Sequence, residues 1–187
     1  YIYIYRMLDI LNDKALIGDW LAFGTMFIVV RLLEGGDLQD ENWIKGCLFT
    51  LLGLGAYHLA VKNVAPKIGN GEIKAVIDTW VKVGTVNVVA RLLSGEPLDE
   101  KWFVGLAYTI LGFNAYTLVV SKVLPLKEIK DKTMRTAANT AGNVGTMLLV
   151  SRVLSGGALD DKAWAMSSVY TIAGFVAYDL VVSKIVN

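Results

Sequence analysis

The stretch "WFVGLAYTILGFNAYTLVVS", Trp102 to Ser121, runs for 20 residues without a charge. An α-helix rising 1.5 Å per residue needs about 20 apolar residues to cross the hydrocarbon core of a bilayer. This one segment therefore decides between a water-filled and a lipid-filled environment for the fold. Weaker versions occur elsewhere. Ala163 to Tyr178 gives 16 uncharged residues before Asp179. The segment from Trp43 carries Lys45, His58 and Lys62 near its ends. Trp20–Val30 and Val83–Ala90 are shorter, and they span only if Arg31 and Arg91 snorkel or pair inside a bundle.

Composition agrees with lipid contact. Of 187 residues, 55% are hydrophobic and 19% charged, and mean hydropathy is +0.50. An ordinary soluble domain carries about 25% charge. Disordered, collagen-like and disulfide-scaffold classes are excluded. A net charge of +1 supplies no basic face for nucleic acid. Cys47 is the single cysteine, so no internal disulfide forms. No phosphate loop, H-E-x-x-H or cysteine pair is present. The sequence therefore points to no enzyme, and no catalytic, cofactor-binding or metal-binding residue is expected.

Outward from Trp102 the pattern repeats. Gly24-Thr25, Gly84-Thr85 and Gly145-Thr146 recur 60 and 61 residues apart. Each is followed in register by an arginine (Arg31, Arg91, Arg152), a leucine (Leu38, Leu98, Leu159) and a tryptophan (Trp43, Trp102, Trp164). Each tryptophan is followed by a glycine (Gly53, Gly112, Gly174) and a tyrosine (Tyr57, Tyr116, Tyr178). Each unit reads as two helices: Leu16–Leu33 and Trp43–Val64, Ile77–Leu93 and Trp102–Leu124, Thr136–Leu154 and Ala163–Val186. The turns between them, "EGGDLQDEN", "SGEPLDEK" and "SGGALDDK", place glycine after one helix and acids at the start of the next. Pro66 and Pro125 end the second helices of the first two units.

The expected fold is an all-α integral membrane bundle of three tandem two-helix hairpins, about six membrane-embedded helices in all. Its divisions are an N-terminal interfacial segment (1–14) and hairpins at 15–66, 67–125 and 126–187. All three hairpins share one orientation, because each crosses an even number of times. The hairpin-loop side holds six basic residues, and the side with termini and linkers holds the other 12. The positive-inside rule then puts the termini on the cytoplasmic-equivalent side. The tryptophan near the loop end of each second helix suits an interfacial anchor.

The repeated residues of the second helices fall on one narrow stripe. Gly46, Thr50, Gly53 and Tyr57 recur as Gly105, Thr109, Gly112 and Tyr116, and as Ser167, Thr171, Gly174 and Tyr178. Together with the tryptophan they lie within about 80° of arc at 100° per residue. Helices in lipid associate through close backbone approach at small residues, with hydroxyls as polar glue. The stripe reads as a helix-packing seam, with a ligand groove as the other reading. Trp20, Gly24 and Arg31 share a face of the first helix, as do Trp80, Gly84 and Arg91, and Ala141, Gly145 and Arg152. The three arginines either snorkel or pair with loop acids, or they ring an anion path.

Asn87, Asn114, Asn143, His58 and Asp179 are polar and not repeated. Coupling carboxylates of transporters sit deep in the bundle, whereas Asp179 lies near a helix end. The lone His58 fits a satisfied interfacial residue better than a metal ligand.

The ending "LGFNAYTLVVSK", Leu111–Lys122, returns as Ala173–Lys184 with alanine for the leucine; the first unit departs with "LGLGAYHLAVKN". In this pattern, over most of its length, the chain resembles multi-span membrane proteins of large icosahedral DNA viruses with an internal membrane. The resemblance implies a structural, minor-capsid type of virion protein linking the inner membrane to capsid proteins, without enzyme activity. The expected partners are thus the lipid bilayer, structural or capsid proteins, and a second copy of the chain, with no nucleic acid. Two other functions fit the same residues: a small pseudo-threefold channel or transporter, and a soluble helical-repeat interaction protein.

Overall fold

The computed structural model describes residues 13–62 and 71–186. Six long helices make up the described chain, with no strand among the described residues. They are α1 (Lys14–Leu33), α2 (Glu41–Ala56), α3 (Gly71–Leu93), α4 (Glu100–Ala115), α5 (Lys132–Leu154) and α6 (Lys162–Ala177). Each of α2, α4 and α6 runs on into a five-residue π-helical turn: Tyr57–Val61, Tyr116–Val120 and Tyr178–Val182. Short α-helical ends follow two of these turns, Ser121–Val123 and Ser183–Val186. Residues 1–12 of the expected interfacial segment 1–14, and the helix stop at Pro66, lie outside the described residues, while Asp13 and Lys14 open α1.

Two first helices begin earlier than the apolar pattern indicates. α3 starts at Gly71 rather than Ile77, and α5 at Lys132 rather than Thr136. Their opening turns are built of helix-compatible polar residues, which periodicity does not register. At α5 the Asp131 side chain caps the N-terminus by accepting from the Met134 amide.

Each hairpin turn is the same device. Gly35, Gly95 and Gly156 adopt φ of 70°, 71° and 71°, a left-handed conformation that glycine takes without steric cost. In the first, the Gly35 amide donates to Leu32 O and the Gly36 amide to Arg31 O, the double bond pattern of a Schellman cap. The other two turns repeat both bonds.

Helix order in space is α1, α2, α3, α4, α5, α6 and back to α1, a closed ring. The ring packs more extensively between hairpins than within them: α2 on α3, α4 on α5, and α6 on α1. Leu16, Leu54 and Val86 form a buried cluster with Trp20, Phe23 and Leu51 against it, joining α1, α2 and α3. The Trp20 indole donates to Leu51 O at 2.8 Å. Phe23 meets Phe175 edge-on at 5.2 Å between ring centres, joining α1 to α6.

The interior is small. Among the described residues only eight hydrophobic side chains are buried, and many large ones are exposed, among them Leu52, Leu111, Val119, Leu149 and Val169. A soluble fold rarely leaves so many large apolar side chains in water. Among the described residues, four segments are long and apolar enough to cross a membrane: Lys14–Leu33, Glu41–Val61, Glu100–Val123 and Lys162–Ile185. The remaining two helices are more polar; α3 carries Glu72, Lys74, Asp78, Lys82 and Arg91, and α5 carries Lys132, Arg135 and Arg152.

Candidate functional site: the inter-hairpin seams and their polar ends

The stripe divides in two. At its linker half, the backbones of neighbouring hairpins touch. A Cβ built on Gly53 would stand 2.7 Å from Val86 O, one on Gly112 2.6 Å from Met147 Cα, and one on Gly174 2.7 Å from Met26 Cα. Real Cβ atoms do not come so close to backbone, so each site requires glycine. The three contacts occupy the same register in each seam, two residues beyond Gly24, Gly84 and Gly145. Those three glycines themselves are not the close-approach points. Gly24 and Gly84 face open space, and Gly145 meets Ile172 of its own hairpin at an ordinary 3.6 Å.

At its loop half, the stripe is not packed. A Cβ at Gly46 or Gly105 would meet nothing within 4 Å, and Ser167 is exposed. Thr50, Thr109 and Thr171 donate to carbonyls four residues back in their own helices, at Gly46, Gly105 and Ser167. The threonine hydroxyls therefore do not bridge helices as polar glue. The in-helix acceptor is always within reach, whereas a cross-helix acceptor requires close packing.

The stripe tyrosines start the π turns. Lys62, Ser121 and Ser183 donate their amides back to the carbonyls of Tyr57, Tyr116 and Tyr178. Tyr57 and Tyr116 are buried. The Tyr116 hydroxyl crosses the seam and donates to Asn139 Oδ1 at 2.6 Å. Tyr178 Oη lies beside Gly18, 3.6 Å from a Cβ built there. No sequence pattern read above anticipates the π turns, although all three begin at the repeated tyrosine.

The three arginines close the hairpin turns. Each Nε donates to a loop carbonyl: Asp37, Pro97 and Ala158, at 3.0, 3.1 and 3.2 Å. The guanidinium of Arg31 then pairs with Asp40, that of Arg152 with Asp161, and that of Arg91 with Glu96. Arg31 and Arg152 also lie over the rings of Trp43 and Trp164, at 5.7 and 5.4 Å. Asp40 and Asp161 serve twice: Oδ2 takes the arginine, and Oδ1 caps the next helix through the amides of Asn42 and Trp43, or Ala163 and Trp164. Accepting the Trp43 and Asn42 amides, with Arg31 beside it, holds the Asp40 carboxyl below its ordinary value. The Trp164 amide does the same for Asp161, with the Ala163 amide and Arg152 adding to it against a smaller opposing effect of burial. Each guanidinium is thus engaged by its own turn.

At the opposite end of the first seam lies a charged cluster. His58 is 5% exposed. Its Nε2 is 2.7 Å from Asp19 Oδ2 and its Nδ1 is 3.3 Å from Asp13 Oδ2. Lys82 of α3 reaches the same Asp19 oxygen at 2.6 Å, and Lys62 lies 3.8 Å from Asp13. Both ring nitrogens are thus engaged, one by each carboxylate. The cluster ties α1, the π turn after α2, and α3 together. Among the described residues only the first seam has this cluster; Thr117 and Asp179 stand at the His58 position in the other two hairpins.

Among the described residues, four buried side-chain oxygens have no hydrogen-bond partner: Asn114 Oδ1, Asn143 Oδ1, Ser168 Oγ and Asp179 Oδ2. No group of three or more metal-ligating side chains occurs among the described residues. Set against known proteins, the chain matches no family model, no curated sequence and no solved structure.

Proposed function

We propose that the protein is a structural component of a membrane: a ring of three helical hairpins, all six helices embedded, that presents one rigid face to an overlying protein layer. The observation that carries the reading is the set of three glycine seams, which lock the hairpins at van der Waals distance while apolar side chains face outward. Lipid gives helices no hydrophobic reason to associate, so close packing at small residues does that work. α3 and α5 enter the bilayer with the others because each is flanked by two of the apolar helices, α2 and α4 or α4 and α6. Their charges concentrate towards the linker end, apart from Arg91 and Arg152 at the turns.

The turns form the presented face. It holds nine acids against six bases, and its arginines are spent on shaping the turns. The unpaired acids there fit a basic partner surface. A capsid layer is the partner that the resemblance to viral membrane proteins supplies. The termini and linkers, with the larger share of lysine and arginine, face the cytoplasmic-equivalent side.

A photo-crosslinking residue at the exposed Gln39, in the first turn, tests this in the native membrane. The reading predicts capture of one protein partner, lost when Asp37 and Asp160 are changed to Lys. Labelling of lipid alone, together with ion flux in liposomes, would favour a channel instead.

A further inference from the structure

Between the linker and the first turns of α5 lies a groove of about 300 Å³ lined by Leu126, Arg135, Thr136 and Asn139. We propose that this groove binds a phosphate-type anion, presented by a lipid headgroup.

Three features converge on that chemistry. The first is an uncompensated cation. Lys74 and Arg135 stand ten residues before Gly84 and Gly145, the same register position in two hairpins. Lys74 is neutralised by Asp78, one turn on in the same helix. At the matching place after Arg135 stands Asn139, and Arg135 has no ion-pair partner among the described residues. An amide in place of the acid leaves the guanidinium free.

The second feature is the orientation of that amide. The Tyr116 hydroxyl donates to Asn139 Oδ1 at 2.6 Å. That bond turns the oxygen towards Tyr116 and leaves the Asn139 NH2, with two donors, for a ligand. The guanidinium and the amide NH2 are both donors, which an anion's oxygens accept; arginine suits phosphate through its planar fork.

The third is the local field. Between Leu126 and Arg135 the chain carries Lys127, Lys130, Lys132 and Arg135 against Glu128 and Asp131. In the membrane reading this is the linker side, where anionic headgroups collect. The lipid as the source of the anion rests on that reading; the anion site itself does not.

The test uses the full chain purified in an uncharged detergent. Thermal unfolding is followed while short-chain phosphatidylglycerol, short-chain phosphatidylcholine or inorganic phosphate is titrated in. Phosphatidylglycerol is expected to raise the midpoint and phosphatidylcholine to leave it unchanged. Arg135→Gln and Asn139→Asp are each expected to weaken that response about tenfold, the loss of a charge-assisted contact. Asn139→Asp restores the arrangement at Lys74 and Asp78, so it removes the site without removing the cation. A response to inorganic phosphate equal to that of the lipid keeps the site and assigns it to a soluble anion. No response to either anion, or variants that respond as the original protein does, overturns the proposal.

Discussion

Gly174 of the last long helix stands against the backbone of Met26 in the first, so that these two helices close a ring. The same contact joins Gly53 to Val86 and Gly112 to Met147. A linear stack of hairpins would leave the first and last faces open. Here the seam between them is as close as the two inner ones.

Gly174→Leu therefore attacks closure alone. Its Cβ would lie 2.7 Å from a backbone atom that has no rotamer by which to yield. Overpacking of this kind costs about 1–3 kcal/mol. Gly105→Leu is the control, since nothing stands within 4 Å of that position. The thermal midpoint in detergent should fall for the first variant and stay within error for the second. Equal falls would contradict the division of the stripe into packed and unpacked halves.

The turns should weaken in acid. The carboxyls of Asp40 and Asp161 are held below the ordinary value of 3.8. Their contribution is complete above that value and is lost as the pH falls through the lowered folded-state values. An Asp40→Asn, Asp161→Asn double variant keeps the helix caps but not the ion pairs. Its midpoint should lie below that of the original protein at pH 6, and the two should converge as the pH falls through the lowered folded-state values. A gap that persists unchanged in acid would show that the carboxylates' charge is not what matters.

The cluster at His58 predicts unequal costs for its two main partners. Asp19→Ala leaves His58 and Lys82 facing each other without their shared acceptor. Removing one partner of a buried pair costs about 3–5 kcal/mol; with Lys82 a third exposed, about 2 kcal/mol is expected here. Lys82→Met leaves Asp19 still bonded to His58 and should cost less than half as much. Unfolding in a denaturing detergent measures both. Equal losses would mean that His58 and Lys82 do not depend on one carboxylate.

The sequence made the helices, the hairpin turns and the packing role of Gly53, Gly112 and Gly174 legible because each rests on a local or periodic signal. Glycine after Arg31, Arg91 and Arg152 marks the turn, and recurrence at heptad spacing marks the face. What remained hidden depends on distance in space. Nothing local shows that Gly174 meets Met26 rather than the partner helix of its own hairpin. The threonines at 50, 109 and 171 look like seam residues by spacing, yet the backbone spreads at the loop half and their hydroxyls turn inward on their own helices. The π turns at Tyr57, Tyr116 and Tyr178 shift register by a residue, which a regular 100° wheel cannot represent. Asp19 and His58 are 39 residues apart, and only the ring brings them together.

The central claim is that lipid surrounds this ring, and nitroxide labels on its outer wall test it most directly. Leu52, Leu111 and Val169 are exposed, at 54%, 43% and 58%, and lie on three different helices. In reconstituted bilayers, labels at all three should relax faster with oxygen, which concentrates in hydrocarbon, than with a water-soluble nickel chelate. A label at Gln39 in the first turn should show the reverse. Nickel-dominated relaxation at all four sites would contradict the account.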